Sequence, residues 1–517
     1  MNYVDLFRAT LPETALEIAA LLVIVVDLGF LRKAMADTRI AVAAVLGVAG
    51  CAAAIWAVFA AGWGSLSNGS YVVLAAGGSA AVAQIAVLVL TALTLLLFID
   101  TGFTRNPGEY VSVVLMAAAG GLLISAAQDL LVIFVGLELL SLGLYILTAF
   151  AKKSEKSAEA ALKYYLFGGM SAAFLLFGFS YLYGLSGSTN LPRVVLGTYM
   201  ASANGGTTLL LIALVMIAVG LGFKVAAVPF HFWAPDTYEG APAPAAAFIA
   251  SVSKVASFAL LISISHAILW WPTMLHLTGG RVTLTVTVSS PGTPPPHVTL
   301  GFITAWPLIL MVLSVASMVF GNLAALAQSS VRRLVAYSAI AHAGYILLGL
   351  AFFGWSNVSA QAILYYIVSY GLTTIGAFGV VDVVERATGS DKLDSFLGLQ
   401  KRNPLLAAVL LVLFLSLAGI PPLVGFWAKF NLFAAVLAVG GGPVPFALVA
   451  LAIAFSAVSL YYYLQVLKRA YVMPATNDSP VKAHPVTLAV LLLIAAAVVV
   501  LGCFPALLQN WIAGFYA

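Results

Sequence analysis

The chain has 517 residues, 63% of them hydrophobic and 8% charged, with a mean hydropathy of +1.09. Soluble domains are about 45–50% apolar and roughly 25% charged, so this composition excludes an ordinary globular enzyme, and disorder needs the opposite balance. The net charge of +5 is spread over separate loops and forms no stripe, so it marks membrane topology and not a nucleic-acid surface. Cys51 and Cys503 lie far apart inside apolar runs and read as small buried hydrophobes, with no zinc, haem or iron–sulfur spacing. What remains is an all-α, polytopic membrane protein that carries no electrons itself.

A helix needs about 20 apolar residues to cross the hydrocarbon core. That rule places spans at 12–31, 39–62, 77–100, 109–127, 129–150, 160–186, 207–230, 242–271, 300–321, 330–353, 358–385, 404–437, 445–472 and 484–510, about fourteen in all. The first carries Glu13, Glu17 and Asp27 and has no small-residue cleavage site, so it is expected to be a retained span and not a signal peptide. Of the 23 Lys and Arg residues, seventeen fall in or beside loops leaving odd-numbered spans, among them Arg39, Arg105, Lys156, Arg333, Arg386 and Arg469. Only Arg8, Arg193 and Arg281 lie on the opposite side. The positive-inside rule then puts both termini outside.

The segment 272–299 is the longest irregular stretch, and within it RVTLTVTV at 281–288 alternates as a strand or hairpin arm does. A weak internal echo flanks it. GLYILTAF from Gly143 returns as GYILLGLAF from Gly344, Tyr164–Tyr165 pair with Tyr365–Tyr366, and VAAVPFHFW ending at Trp233 returns as GIPPLVGFW ending at Trp427. Each second copy sits five spans later, and an odd number of helices inverts a repeat in the membrane. The expected organisation is three N-terminal spans in 1–108, a first five-helix repeat in 109–271, the outside loop 272–299, a second repeat in 300–472 and a last span in 473–517. Pro229 and the pair Pro421–Pro422 are expected to break spans 7 and 12.

Charges within the spans carry the functional signal. Each Lys at a helix centre costs about 2.5–3.5 kcal/mol to insert, and the default reading of such residues is an ion or proton path. Lys224 stands just before the first break, Lys254 lies in ASVSKVASFALL on span 8, and Lys429 follows the second break. Glu138 on span 5 shares a face with Ser141 and Tyr145. Ser251 and Ser265 flank Lys254 as a hydroxyl track on its helix, while span 10 offers Ser338, His342 and Tyr345, and span 11 offers Tyr366, Tyr370 and Thr373. The competing readings are a structural partner for Glu138, snorkelling for the lysines, and a neutral core residue for His342. His231, Asp236 and Glu239 read as surface or capping groups, and His266 as the weakest candidate.

An amine buried in low dielectric can release and regain a proton near neutral pH, and a nearby carboxylate restores its charged form. Glu138–Lys224 is therefore the candidate switch, and Lys254, His342 and Lys429 the candidate relay. Nothing in the chain supplies driving energy.

The motifs GLELLSLGLYIL, GFKVAAVPFHFWAPDTYEGAP, SVSKVASFALL and LAGIPPLVGFWAKF together resemble the antiporter-like subunits of respiratory complex I. Within them the chain is most similar to the N-type members: Lys429 stands where an M-type member has glutamate, and no long lateral helix follows span 14, as it would in an L-type one. The resemblance implies that Glu138 and Lys224 form the switching pair, Lys254 the central relay and Lys429 the exit, with His342 matching a histidine stressed in sibling subunits. It implies no cofactor in this chain, and NADH, FMN, Fe–S clusters and quinone in partner subunits. The implied partners are M-type, K-type and J-type membrane subunits and the lipid bilayer, with no nucleic acid. The implied location is a bacterial inner (plasma) membrane with periplasmic termini. The outside strand resembles hairpins that interlock neighbouring subunits. The alternative is a subunit of a multi-protein Na⁺/H⁺ antiporter, which shares the motifs.

Overall fold

The computed structural model describes residues 7–60, 73–75, 77–201, 205–270, 275–278, 281–284, 301–353, 357–439, 442–475 and 479–516. Helix α1 (Leu11–Val25) ends in a π-helical turn at Val26–Phe30 and is followed by α2 (Ala36–Ala60), α3 (Gly78–Phe98), α4 (Pro107–Ala126), α5 (Leu130–Thr148) and α6 (Glu155–Ser186). A short α7 (Leu191–Ala201), unforeseen in the sequence, precedes α8 (Thr207–Val225), α9 (Trp233–Gly240) and α10 (Ala243–Trp270). The second half holds α11 (Gly301–Leu326), α12 (Val331–Ala351), α13 (Asn357–Thr388), α14 (Pro404–Ala418), α15 (Val424–Ala438), α16 (Pro443–Tyr471), α17 (Pro485–Cys503) and α18 (Pro505–Gly514). Among the described residues twelve helices are long and apolar enough to cross a membrane, and α14 and α15 are shorter apolar pieces. The second to fourteenth expected spans each coincide with one or two of these helices, and the first falls on α1 and its π-helical turn.

Caps set several starts. Asp129, Ser154, Ser330 and Asn403 accept backbone N–H bonds of 2.9, 3.3, 3.2 and 3.0 Å at the heads of α5, α6, α12 and α14, satisfying donors that have no partner inside the helix. The two breaks have local causes as well. α8 stops at Val225 because Ala226 turns left-handed (φ +59°), and α14 stops at Ala418 because Gly419 does so at φ +89°. The prolines that follow cannot donate to a continuing helix, and each break contains a cis bond, Val228–Pro229 and Pro421–Pro422. The last span also divides, at Phe504–Pro505.

The helices differ sharply in burial. Residues 241–262, which include most of α10, are buried without interruption, and α12 nearly so; α1, α6 and α16 instead expose large apolar side chains such as Leu21, Phe177 and Phe446. Small residues let the inner helices meet closely. A Cβ on Gly143 of α5 would lie 2.6 Å from the Ala117 Cβ of α4, and one on Gly344 of α12 would lie 2.7 Å from the Met318 nitrogen of α11. These two glycines head the sequence echo, so the echo has a packing counterpart in each half.

The loops sort into two ends as the charge alternation requires. At the basic end, Arg386 pairs with Asp100 (2.8 Å), Lys156 with Glu239 (3.2 Å), Arg333 with Glu239 (3.0 Å), and the Gly398 N–H bonds the Arg469 carbonyl (3.0 Å). At the other end, Ala75 bonds Ala126, Leu130 bonds Thr189 and Gly78 bonds Phe515, at 2.7, 2.8 and 3.1 Å. Between α10 and α11, strands β1 (Leu275–Thr278) and β2 (Arg281–Leu284) pair antiparallel, with Leu275 opposite Leu284 and Thr278 opposite Arg281. The expected strand thus begins at Arg281 as a hairpin arm; residues 285–288 lie outside the described residues. One expectation about cysteine fails: Cys51 is buried but Cys503 is exposed, since it closes α17 just before the break.

Candidate functional site

Lys224 occupies the last turn of α8, 8% exposed, and its Nζ donates to Ser141 Oγ on α5 at 2.5 Å. Glu138 lies one turn before Ser141 and is half-buried. Among the described residues no ion pair within 4 Å joins Glu138 to Lys224; Ser141, which accepts from Lys224, donates in turn to the Leu137 carbonyl of its own helix. The break beyond Lys224 is pinned from two sides: Trp233 Nε1 donates to the Phe223 carbonyl (2.9 Å), and Ser317 Oγ of α11 accepts the Val228 N–H (2.9 Å). His231 is buried rather than a surface group, packed between the rings of Phe232 and Phe320.

Lys254 is 2% exposed and donates to the Ala339 carbonyl of α12 at 2.8 Å, with the Tyr370 ring 6.0 Å away. The serines expected as a hydroxyl track on its helix each hold one protein partner. Ser251 bonds back to the Ala247 carbonyl (2.6 Å), and Ser265 accepts from Trp306 Nε1 (3.0 Å). Lys429, 6% exposed, has three acceptors: the Leu417 and Ala418 carbonyls at 3.2 and 2.8 Å and Ser456 Oγ at 2.8 Å. The carbonyls are those that the second break leaves without helical partners. Lys429 therefore does not snorkel.

His342 stands between the two amines. Its Nδ1 meets the Tyr366 hydroxyl at 2.7 Å and its Nε2 the Tyr463 hydroxyl at 3.4 Å. The Tyr370 ring, which Lys254 approaches, lies 5.0 Å from the imidazole; the Tyr345 ring lies 5.8 Å from it and 5.5 Å from Lys429 Nζ. Ser338 shares a short hydrogen bond with Tyr463, and Asn322 links Tyr345 (3.1 Å) to Tyr462 (3.2 Å). The structure thus gathers Lys254, His342 and Lys429 around one cluster of aromatic hydroxyls. Sequence reasoning missed Asn322, Ser456, Tyr462 and Tyr463; the only signal was a run of three tyrosines inside an apolar span. Thr373 bonds its own helix at the Ser369 carbonyl (2.7 Å), and His266 is exposed.

Asp236 and Glu239 do not cap α9, whose start has no side-chain cap bond; they form ion pairs. Asp236 pairs with Lys163 (2.8 Å) and Arg333 (2.7 Å), and Glu239 with Arg333 (3.0 Å) and Lys156 (3.2 Å), tying the far side of the first break to α6 and α12. Burial works to raise both carboxyls, but bonds from Lys163 and Arg333 to Asp236, and from Arg333 and Lys156 to Glu239, outweigh it and hold both below the usual range. Among the described residues no group of three or more His, Cys, Asp or Glu is placed to hold a metal.

A lipid-embedded helical bundle with two interrupted helices and ionisable side chains converging at depth belongs to the class of ion-translocating membrane proteins. The family model for the NADH:quinone oxidoreductase/Mrp antiporter transmembrane region matches residues 127–288 and 296–458, and the chain belongs to that family. It is 45% identical over 522 residues, covering 99% of both chains, to NADH-quinone oxidoreductase subunit N 2 of Acidobacterium capsulatum. Among solved structures it resembles a chain of respiratory complex I from Thermus thermophilus with TM-score 0.74, 31% identity and coverage of 96% and 98% of the two chains. A chain of the Mrp complex from Dietzia shares the fold at TM-score 0.75 and 20% identity, over 99% of this chain and 51% of that one.

Proposed function

We propose that this chain is the N-type subunit of a bacterial NADH–quinone oxidoreductase, complex I, and moves protons while electron transfer runs in other subunits. End-to-end identity to a relative of that name carries the assignment. In this reading Glu138 and Lys224 are the switch, with the Lys224 amine held by Ser141. Lys254 is the central donor, His342 passes the proton on, and Lys429 is the exit amine. The observation that supports the relay is His342, in contact with one ring that Lys254 approaches and another that Lys429 approaches. The two five-helix halves are related by inversion, the basic end faces the cell interior and the termini are periplasmic. NADH, FMN, Fe–S clusters and quinone belong to the partner subunits that supply the energy, and the membrane neighbours are of M, K and J type.

The test is Lys254→Ala in the assembled complex. Proton translocation per NADH oxidised should fall sharply at normal assembly, whereas undiminished pumping would reject the relay. A second reading, a Na⁺/H⁺ antiporter subunit, is favoured by the shared fold of the Mrp chain. It requires Na⁺-dependent dissipation of ΔpH in vesicles without dehydrogenase partners.

A further inference from the structure

Helix α11 is bonded on one face to the first break and on another to the side chains around His342. Its Ser317 is fully buried. The Ser317 hydroxyl donates to the Leu313 carbonyl one turn back (2.6 Å) and accepts the Val228 N–H (2.9 Å). Three residues on, Phe320 packs against the His231 ring with centroids 4.8 Å apart. Val228 and His231 fall in the first segment matched by the family model and Ser317 and Phe320 in the second. The interruption that follows Lys224 therefore leans on the other half of the molecule at two rungs of one helix.

At 3.6 residues per turn, Ser314, Met318 and Asn322 lie about 60–140° round α11 from Ser317, and this second face meets α12 and α16. Ser314 Oγ donates to the Gly344 carbonyl of α12 at 2.7 Å. Asn322 is fully buried and uses both ends of its amide. It donates to the Met318 carbonyl (2.7 Å) and the Tyr345 hydroxyl (3.1 Å) and accepts from the Tyr462 hydroxyl (3.2 Å). Tyr345 is the ring that lies beside both His342 and Lys429. Between the two helices the backbones touch: a Cβ on Gly321 would lie 2.7 Å from the Ala341 nitrogen, and one on Gly344 2.7 Å from the Met318 nitrogen. Contacts this close transmit a displacement of α11 to α12 instead of absorbing it.

We propose that α11 is the link through which the first break sets the hydroxyls around His342 and Lys429, with Ser317 and Asn322 as its two positioning residues. The inference rests on the relay reading above and joins its switch to its exit end. Because Ala226 turns left-handed, the Val228 N–H has left the helical ladder and depends on Ser317. A rearrangement of the break that accompanies a change of charge at Lys224 must either abandon this bond or carry α11 with it. An unmet donor inside the bundle is costly, so α11 follows. Its far face then moves Asn322, and with it the Tyr345 and Tyr462 hydroxyls, about 12 Å along the helix from Ser314 at the other end of the seam.

The test uses Ser317→Ala, Ser317→Thr, Tyr345→Phe and the double variant Ser317→Ala/Tyr345→Phe in the assembled complex, beside Lys254→Ala. In Ser317→Ala, protons translocated per NADH oxidised should fall several-fold while NADH oxidation continues. Ser317→Thr keeps the hydroxyl and should recover most of the loss. Tyr345→Phe keeps the ring beside Lys429 and removes the hydroxyl that Asn322 holds. Since both changes cut one link, the double variant should lose no more than the more affected single one, whereas independent effects would multiply. If Ser317→Ala pumps normally while Lys254→Ala does not, the link is refuted and the relay stands. If Lys254→Ala also pumps normally, the relay fails and the link falls with it. Losses that multiply in the double variant, or a Ser317→Thr complex as impaired as Ser317→Ala, would reduce Ser317 to packing and overturn the proposal.

Discussion

Gly425 is the tightest point of the second break. Its N–H donates to Ser416 Oγ (3.2 Å), and a Cβ there would lie 1.9 Å from the Ser416 carbonyl oxygen and 2.7 Å from the Ser416 carbonyl carbon. These are backbone atoms and cannot rotate away. Restoring ordinary contact in Gly425→Ala requires α14 and α15 to separate by about 1.5 Å, measured against a 3.4 Å contact. Lys429 lies one turn further along α15, so its 2.8 Å bond to Ala418 would lengthen beyond bonding distance. Overpacking costs about 1–3 kcal/mol, and each lost hydrogen bond to a charged group about 1.5–3 kcal/mol. Thermal unfolding of the purified complex should show Gly425→Ala clearly destabilised, with proton translocation reduced. Gly169→Ala on α6, where nothing lies within 4 Å, is the matched control and should be neutral. Native stability and pumping in Gly425→Ala would refute the claim that this close approach holds Lys429 in place.

Further outcomes follow from the same geometry. Ser141→Ala removes the acceptor of Lys224, worth about 1.5–3 kcal/mol if the amine is charged, and should uncouple pumping from NADH oxidation while assembly persists; normal coupling would separate Ser141 from the switch. Tyr366→Phe takes away the 2.7 Å partner of His342 Nδ1 and should slow translocation, with unchanged rates limiting His342 to packing. Arg333→Ala breaks two ion pairs at the basic end, partly exposed and worth about 0.2–1 kcal/mol each, so the loss in thermal stability should be small. Asp236 and Glu239 have folded values below the usual range. Their contribution is therefore full above the ordinary carboxylate pKa of about 4 and disappears as pH falls through the depressed values. Acid titration of native and Arg333→Ala complexes should converge at low pH; a gap that widens on acidification would contradict the pairing.

Much of the molecule is written in its one-dimensional pattern. Hydrocarbon thickness fixes the length of a crossing helix, and basic residues resist translocation, so the polytopic helical plan and the two-ended sorting of loops follow from counting. Lys224, Lys254 and Lys429 stand out because a charged group in apolar surroundings is costly to keep. Proline without an N–H foretells where α8 and α14 stop.

What tertiary structure alone decided is who meets whom. Side-chain contacts between helices far apart in sequence leave no local trace, so the bond of Lys224 to Ser141, that of Trp306 to Ser265, and the tyrosines of α16 around His342 could not be read from spacing. Hydroxyls are cheap to place in a helix, because they can bond the carbonyl one turn back. Only packing reveals which of them do so and which, like that of Tyr238, are left buried with no hydrogen-bond partner.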